Sequence, residues 1–450
     1  MSQASQQIGA AGVAPPPAAS ATTAPPAAHS TTGSPQPTAT SPSPAAQAAV
    51  NRTMTTPQRL RLLSLGVVVA GLVIGLIGAL TYAYLAFSLS RARADTAQLI
   101  RVQKIQSNML SADATATNAF LVGGLEPPAQ RAAYDQAMSS TSSLIAEAAR
   151  AQPADGAALA ALNQQVLSYA ATIEQARANN RQGLPVGAQY LRNSSAELRA
   201  TALPILDNLV SANAARAAEE MRAGAGFIVL VLAVLGLAGV IVAQLWLART
   251  FKRTINVGMV ASAAVLLLIV IGSLVAVLQL RSALNEISTG SLAAVNTAAD
   301  TRIDANNAKS NESLTLIARG SGQAFESAWK SSADSVTANL ARLNGKPELA
   351  SQWQAYADVH NQIRELDDGG QWDKAVAQAT GSGRASSNTV FGTFDSNLAS
   401  YLDGVSLDAS NALADEEPIM IVAAILILLG GVAVALLGRW GVTERLKEYR

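Results

Sequence analysis

Two histidines, no cysteine and 31 carboxylates are what this sequence of 450 residues offers for proton or ligand chemistry. A catalytic base or a metal site needs partners held at a defined spacing. His29 stands in a stretch of Ala, Pro, Ser and Thr, and His360 stands in a helical pattern with Trp353, Tyr356 and Ile363. Neither has a neighbouring cluster in sequence, so both are expected to be solvated side chains. Without cysteine there is no disulfide framework and no thiolate chemistry. No Gly-rich phosphate loop, nucleophile elbow or kinase motif occurs. Asn51, Asn193 and Asn311 begin Asn-x-Ser/Thr triplets, a pattern common by chance. The tryptophans Trp329, Trp353 and Trp372 are expected in a protein core. The expectation is a protein that is not an enzyme and uses no cofactor or metal.

What the chain has instead is four long apolar stretches, at residues 62–89, 227–247, 257–280 and 418–438. Each is about 20 residues or longer and nearly free of charge, as an α-helix needs to cross a hydrocarbon core roughly 30 Å thick. They set the expected organisation: a tail 1–58, spans 59–89 and 226–248 around a polar domain 90–225, a hairpin 249–256, spans 257–280 and 418–438 around a second polar domain 281–417, and a tail 439–450. The first span is too long, and starts too far into the chain, to read as a signal peptide. No acid or base lies mid-span, which argues against an ion path.

Short flanks rich in Lys and Arg stay in the cytoplasm. The hairpin holds Arg249, Lys252 and Arg253 without an acid, and Arg52, Arg59 and Arg61 precede the first span. Arg439, Arg445, Lys447 and Arg450 follow the last one, against Glu444 and Glu448. The expected protein is therefore a multi-pass protein of the plasma membrane with cytoplasmic termini and two extracytoplasmic domains. The basic groups Arg249, Lys252, Arg253, Arg439, Arg445 and Lys447 are the candidate contacts for a cytoplasmic partner. Residues 281–417 carry 18 acids against 10 bases, and neither polar domain is basic enough for nucleic acid. Residues 1–58 hold a single charge, Arg52, and cannot bury enough surface to offset chain entropy; they are expected to be disordered. Gly71 and Gly75 form a Gly-x-x-x-Gly pair, suited to close helix packing within the chain or in a homo-oligomer.

Both polar domains read as helical. Leu99, Val102, Ile105, Met109, Ala112, Ala116 and Phe120 recur at threes and fours, one apolar stripe that continues from the first span. Breaks follow at Gly123-Gly124 with Pro127-Pro128, at Pro153 with Gly156, and at Gly183 with Pro185. Leu191, Leu198, Ile205 and Ala212 then form a coiled-coil-like heptad seam, kinked at Pro204, which is expected to run straight into the second span. The second domain repeats the plan, with breaks at 319–322 and 368–370 and a last helix marked by Phe391, Phe394, Leu398, Tyr401 and Val405. Gly123 and Gly320 are 197 residues apart, and Tyr134 and Trp329 are 195 apart, a tandem repeat. The expected fold is an all-α membrane protein: four transmembrane helices carrying two tandem extracytoplasmic four-helix bundles.

This layout resembles the sensory modules of chemoreceptors and sensor kinases, but with no cytoplasmic output domain. The Ala/Pro-rich amino tail, the two tandem bundles, the four spans and the ending Gly-Arg-Trp-Gly-Val-Thr-Glu-Arg-Leu-Lys-Glu-Tyr-Arg together resemble the GlnX-type membrane proteins of actinobacteria. That resemblance implies a relay. A periplasmic glutamate-binding lipoprotein would report amino-acid availability, and a soluble cytoplasmic Ser/Thr protein kinase, protein kinase G, would receive it. The family supplies no residue motif to carry over. Two other readings of the residues stand beside it: a direct small-molecule chemoreceptor and a structural envelope scaffold.

Overall fold

The computed structural model describes residues 56–222, 226–251, 256–343 and 345–447. The tail expected to be disordered lies outside the described residues up to position 55. Helix α1, Thr56–Val122, begins three residues before the tail was expected to end, with Pro57 in its first turn where a missing N–H costs nothing. It runs without interruption from the first apolar stretch into the first polar half. From Ser90 to Val122 the sequence holds neither glycine nor proline. Gly123 and Gly124, at φ 69° and 61°, then stop it in a conformation that residues with a Cβ avoid.

The first polar half is completed by α2 (Pro128–Ala151), α3 (Gly156–Arg181), α4 (Val186–Glu197) and α5 (Leu203–Glu220). The kink expected at Pro204 takes the form of a π turn, Leu198–Ala202, in which the Leu203 N–H reaches back to the Leu198 carbonyl. The wider turn stands just before Pro204, which has no N–H to bond back, and the helix continues.

The second apolar stretch departs from expectation. The heptad seam does not run into it: α5 ends at Glu220, Met221 turns, and α6 starts anew at Gly226 (Gly226–Phe251). The intervening sequence includes Gly224, and Gly226 opens the new helix. Each glycine costs a helix interior about 1 kcal/mol relative to alanine. The apolar periodicity could not report that cost.

After Asn256 come α7 (Val257–Glu286), a second π turn (Ile287–Ser291) and α8 (Leu292–Ile317), one continuous rod of 61 residues. The second half adds α9 (Gln323–Arg342), α10 (Pro347–Asp368), α11 (Trp372–Thr380) and α12 (Ser387–Lys447). The short α11 was not anticipated. It caps the membrane-distal end, where Ala375 and Ala379 pack with Leu121 of α1 and Leu316 of α8. Among the described residues four helices are long and apolar enough to cross a membrane and no strand occurs, so the protein is an all-α membrane protein.

The halves lie side by side. Helices α1 and α8 run parallel, and residues at the repeat spacing face one another: Gln103 donates to Asn296 at 2.9 Å and Ser310 to Asp113 at 2.7 Å, pairs 193 and 197 positions apart. Helix α12 runs antiparallel to α1. Lys104 reaches Asp403 at 2.7 Å in the polar part, and Gly71 and Gly75 lie against Gly431 in the apolar part. From Ala308 to Leu316 every residue of α8 is buried. This stretch is surrounded on all sides, although most of its side chains are polar.

Candidate functional site

Buried polar groups need partners, and a helix surrounded by others can find them only across the bundle. Three such clusters lie in the polar halves, and one of them joins the two. Nearest the membrane, Asp155 in the α2–α3 turn accepts from Gln98 of α1 at 3.1 Å, from Asn213 of α5 at 2.9 Å and from Arg216 at 2.6 Å. Burial alone would raise the Asp155 carboxyl, but these donors outweigh it and its pKa is lowered.

Midway along the first half stands Asp113 of α1, fully buried. Its carboxylate accepts from Ser195 at 2.5 Å, Tyr169 at 3.2 Å, Arg199 at 3.0 Å and Ser310 at 2.7 Å. The first three come from α3, α4 and the π turn before α5. The fourth comes from α8, so one carboxylate joins both halves. Further out, Asn118 donates to the Ala379 carbonyl and accepts from Asn388 at 2.7 Å, which extends the seam to α11 and α12.

The third cluster is in the second half. Glu312 of α8 accepts from Lys309 at 2.7 Å and from Ser387 at 2.6 Å, and Lys309 also donates to Ser387. The other Glu312 oxygen lies 3.2 Å from Nδ1 of His360, whose Nε2 lies 3.3 Å from Glu326. The imidazole stacks on Trp329, with centroids 3.6 Å apart and planes 8° from parallel. The expectation that His360 is solvated is therefore wrong. Its partners are 48 and 34 positions away, beyond any local pattern. Burial would lower the His360 pKa, but its hydrogen bonds to Glu312 and Glu326 outweigh that and raise it. Trp329 and Trp353 lie in the second-half core. Trp372 is partly buried and donates to the Leu316 carbonyl at 2.9 Å, with Arg319 3.8 Å above its ring.

A cavity of about 280 Å³ opens at the membrane-distal end of the first half, between the end of α1, the start of α2 and the end of α3. Phe120, Leu125, Ile173 and Leu191 give it an apolar wall. Arg177 reaches Glu126 at 3.0 Å and Glu174 at 2.7 Å, and its guanidinium lies 4.0 Å over the Tyr134 ring. Burial pushes the Tyr134 phenol up to about 12. Arg131 is held by Asp135 and Glu174, both at 3.0 Å. Arg181 also lines the cavity and is exposed, with no ion-pair partner among the described residues. Among the described residues no group of three or more His, Cys, Asp and Glu is arranged to hold a metal ion.

This distal cavity, the Asp155 cluster and Asp113 with three of its four donors fall within one stretch of chain that is similar to a known family. Residues 88–222 match the actinobacterial sensor domain. The match begins in α1 as it leaves the first apolar stretch and ends at Arg222, two residues after the end of α5. It supports a sensor protein of actinobacteria. No curated protein and no solved structure matches this chain.

At the opposite end of the molecule the α6–α7 hairpin meets the end of α12. Asn256 caps α7 by accepting from the Met259 N–H at 3.3 Å and donates to the Gly441 carbonyl at 2.8 Å. Gly258 packs against Gly441 so closely that a Cβ there would meet Gly441 at 2.6 Å. An asparagine before an apolar run is an N-cap signal, one the sequence carries beside the basic residues of the hairpin. Of the candidate partner contacts, Arg249 lies in the last turn of α6 and Arg439 is exposed on α12. Lys252 and Arg253 lie outside the described residues, as do the side chains of Arg445 and Lys447, which continue α12.

Proposed function

We propose that the chain is a transmembrane signal relay, reporting an extracytoplasmic condition to a cytoplasmic partner. One observation carries this reading: α1 and α12 each pass unbroken from the polar half through an apolar span, packed against one another along both. Packed rods move as bodies between discrete arrangements, so a shift at the distal end is delivered at the other. The basic flanks favour the hairpin and the carboxyl terminus as the cytoplasmic end. The resemblance to the GlnX type adds the finer content: glutamate or aspartate availability, received from a solute-binding lipoprotein and passed to a cytoplasmic Ser/Thr kinase. Neutralising Arg249, Lys252 and Arg253 together, or deleting residues 441–450, is expected to abolish the change in phosphorylation of the kinase's targets after a glutamate shift. An intact response in both variants contradicts the relay.

The distal cavity favours a second reading, direct sensing of a small molecule. Calorimetry of the purified full chain with amino acids tests it: saturable heat that Arg177→Ala removes supports direct sensing, and its absence leaves the ligand on a partner.

A further inference from the structure

The polar halves expose few large apolar side chains, and most of those stand together. Val122, Leu125, Leu184 and Val186 are 40, 83, 44 and 45 % exposed; within the polar halves only Leu167 and Leu407 join them among the described residues. The four belong to two neighbouring loops at the membrane-distal end of the first half, or flank them. Both loops border the distal cavity, through Leu125 and Glu126 on one side and Asn180 and Arg181 on the other. Positive φ angles at Gly123, Gly124 and Gly183 fix the course of the loops, so the apolar side chains are held outward by the backbone.

Three candidate occupants fail to account for this patch. Lipid is out of reach: from Ser90 to Val122, α1 rises about 50 Å at 1.5 Å per residue. A small molecule fills a cavity of about 280 Å³ but leaves Leu125 and Leu184 in water. A second copy of this chain, meeting it end to end, would set Arg181 against Arg181. The patch has an apolar ring and one uncompensated cation, Arg181, while Arg131 and Arg177 are already paired. An exposed apolar cluster rimmed by polar groups marks a protein contact, and a rim charge selects its opposite.

We infer that the membrane-distal end of the first half is the docking surface for a separate protein that presents apolar side chains around a carboxylate opposite Arg181. The inference rests on the relay reading only for the side of the membrane on which that protein is found.

The test places a photo-cross-linking amino acid at Leu125, at Leu184 and, as a control, at Leu407, in the full chain in its native membrane. Adducts with one protein, identified by mass spectrometry, are expected at the first two positions and not at the third. Arg181→Glu is expected to lower the yield at least about tenfold, and changing the acidic residue of the cross-linked partner peptide to Arg is expected to restore it. No adduct, an adduct with a second copy of this chain, a yield indifferent to Arg181→Glu, or failure of the reciprocal change overturns the inference. The relay is judged separately: adducts lost in Leu125→Asp with the phosphorylation response intact would sink the relay and leave the docking surface standing.

Discussion

Glu312 shows what burial demands of a charged residue. Removed from water, its carboxyl would rise in pKa; Lys309 and His360 outweigh that and hold it at about 2. Replacing it by Gln leaves Lys309 buried without a counter-charge and His360 with Glu326 alone. Glu312→Gln is expected to destabilise the protein by about 3–5 kcal/mol, read from chemical unfolding in detergent. The pH dependence has a definite sign. His360 is raised above 6.5, so its contribution is whole below that value and is lost as pH rises through the higher folded value. Glu312 contributes above 4.5 and loses its contribution as pH falls towards 2. The melting temperature is therefore expected to fall as pH is raised above 6.5, and to fall less steeply in His360→Gln. Lys309, lowered by burial, acts in the opposite sense at alkaline pH, so the difference between the two proteins is the quantity to follow. A parallel slope in His360→Gln contradicts this account. None of this was legible in sequence: the run 308–316, rich in Ser, Asn, Lys and Glu, has the composition of a solvated helix. It is interior because other helices surround it, and Lys309, Ser310 and Glu312 find their partners on those helices.

Helix packing in the apolar part turns on close approach at glycine. A Cβ at Gly75 would stand 3.0 Å from the Gly431 Cα and 3.3 Å from the Leu428 carbonyl oxygen, whereas one at Gly66 meets nothing within 4 Å. Gly75→Leu must push α12 away from α1 and is expected to cost at least about 1–3 kcal/mol, with Gly66→Leu near neutral. Equal melting temperatures for the two variants would contradict the packing described. The π turn Ile287–Ser291 carries a single extra residue, so deleting Ser288 restores an ordinary helix and leaves both flanks facing as before. It is expected to change stability by less than about 1 kcal/mol. Deleting Ala299, inside regular α8, turns every later residue by about 100° and is expected to unfold the second half. Comparable loss in both deletions would show that the π turn is not an insertion. At this scale the sequence was informative wherever glycine and proline punctuate an apolar stripe, as at Gly123-Gly124, Gly183 with Pro185, and Gly369-Gly370. It misled after Glu220, where the apolar periodicity gives no sign that α5 ends, and where a nine-residue helix, α11, was too short to show a period.

Taken whole, the molecule is two similar halves standing in parallel, with a four-helix plan in each and an added cap in the second. The repeat was visible as spacings of 195 and 197 residues. That the halves share a buried polar seam was not, because Asp113 and Ser310 announce nothing until α1 and α8 are placed together. The seam, the α1–α12 pair and the Asn256–Gly441 link join the distal cavity to the hairpin through continuous packed structure. The second crossing, with its break after Glu220, is the exception, so α5 and α6 are not a single rod. The relay must then run through the helices that do not break. Inserting four glycines after Ser90 in α1, after Arg281 in α7 and after Glu417 in α12 tests this most directly, with kinase-target phosphorylation after a glutamate shift as the readout. The account predicts that the response is lost while cross-linking at Leu125 persists. An undiminished response through three flexible joints would contradict it.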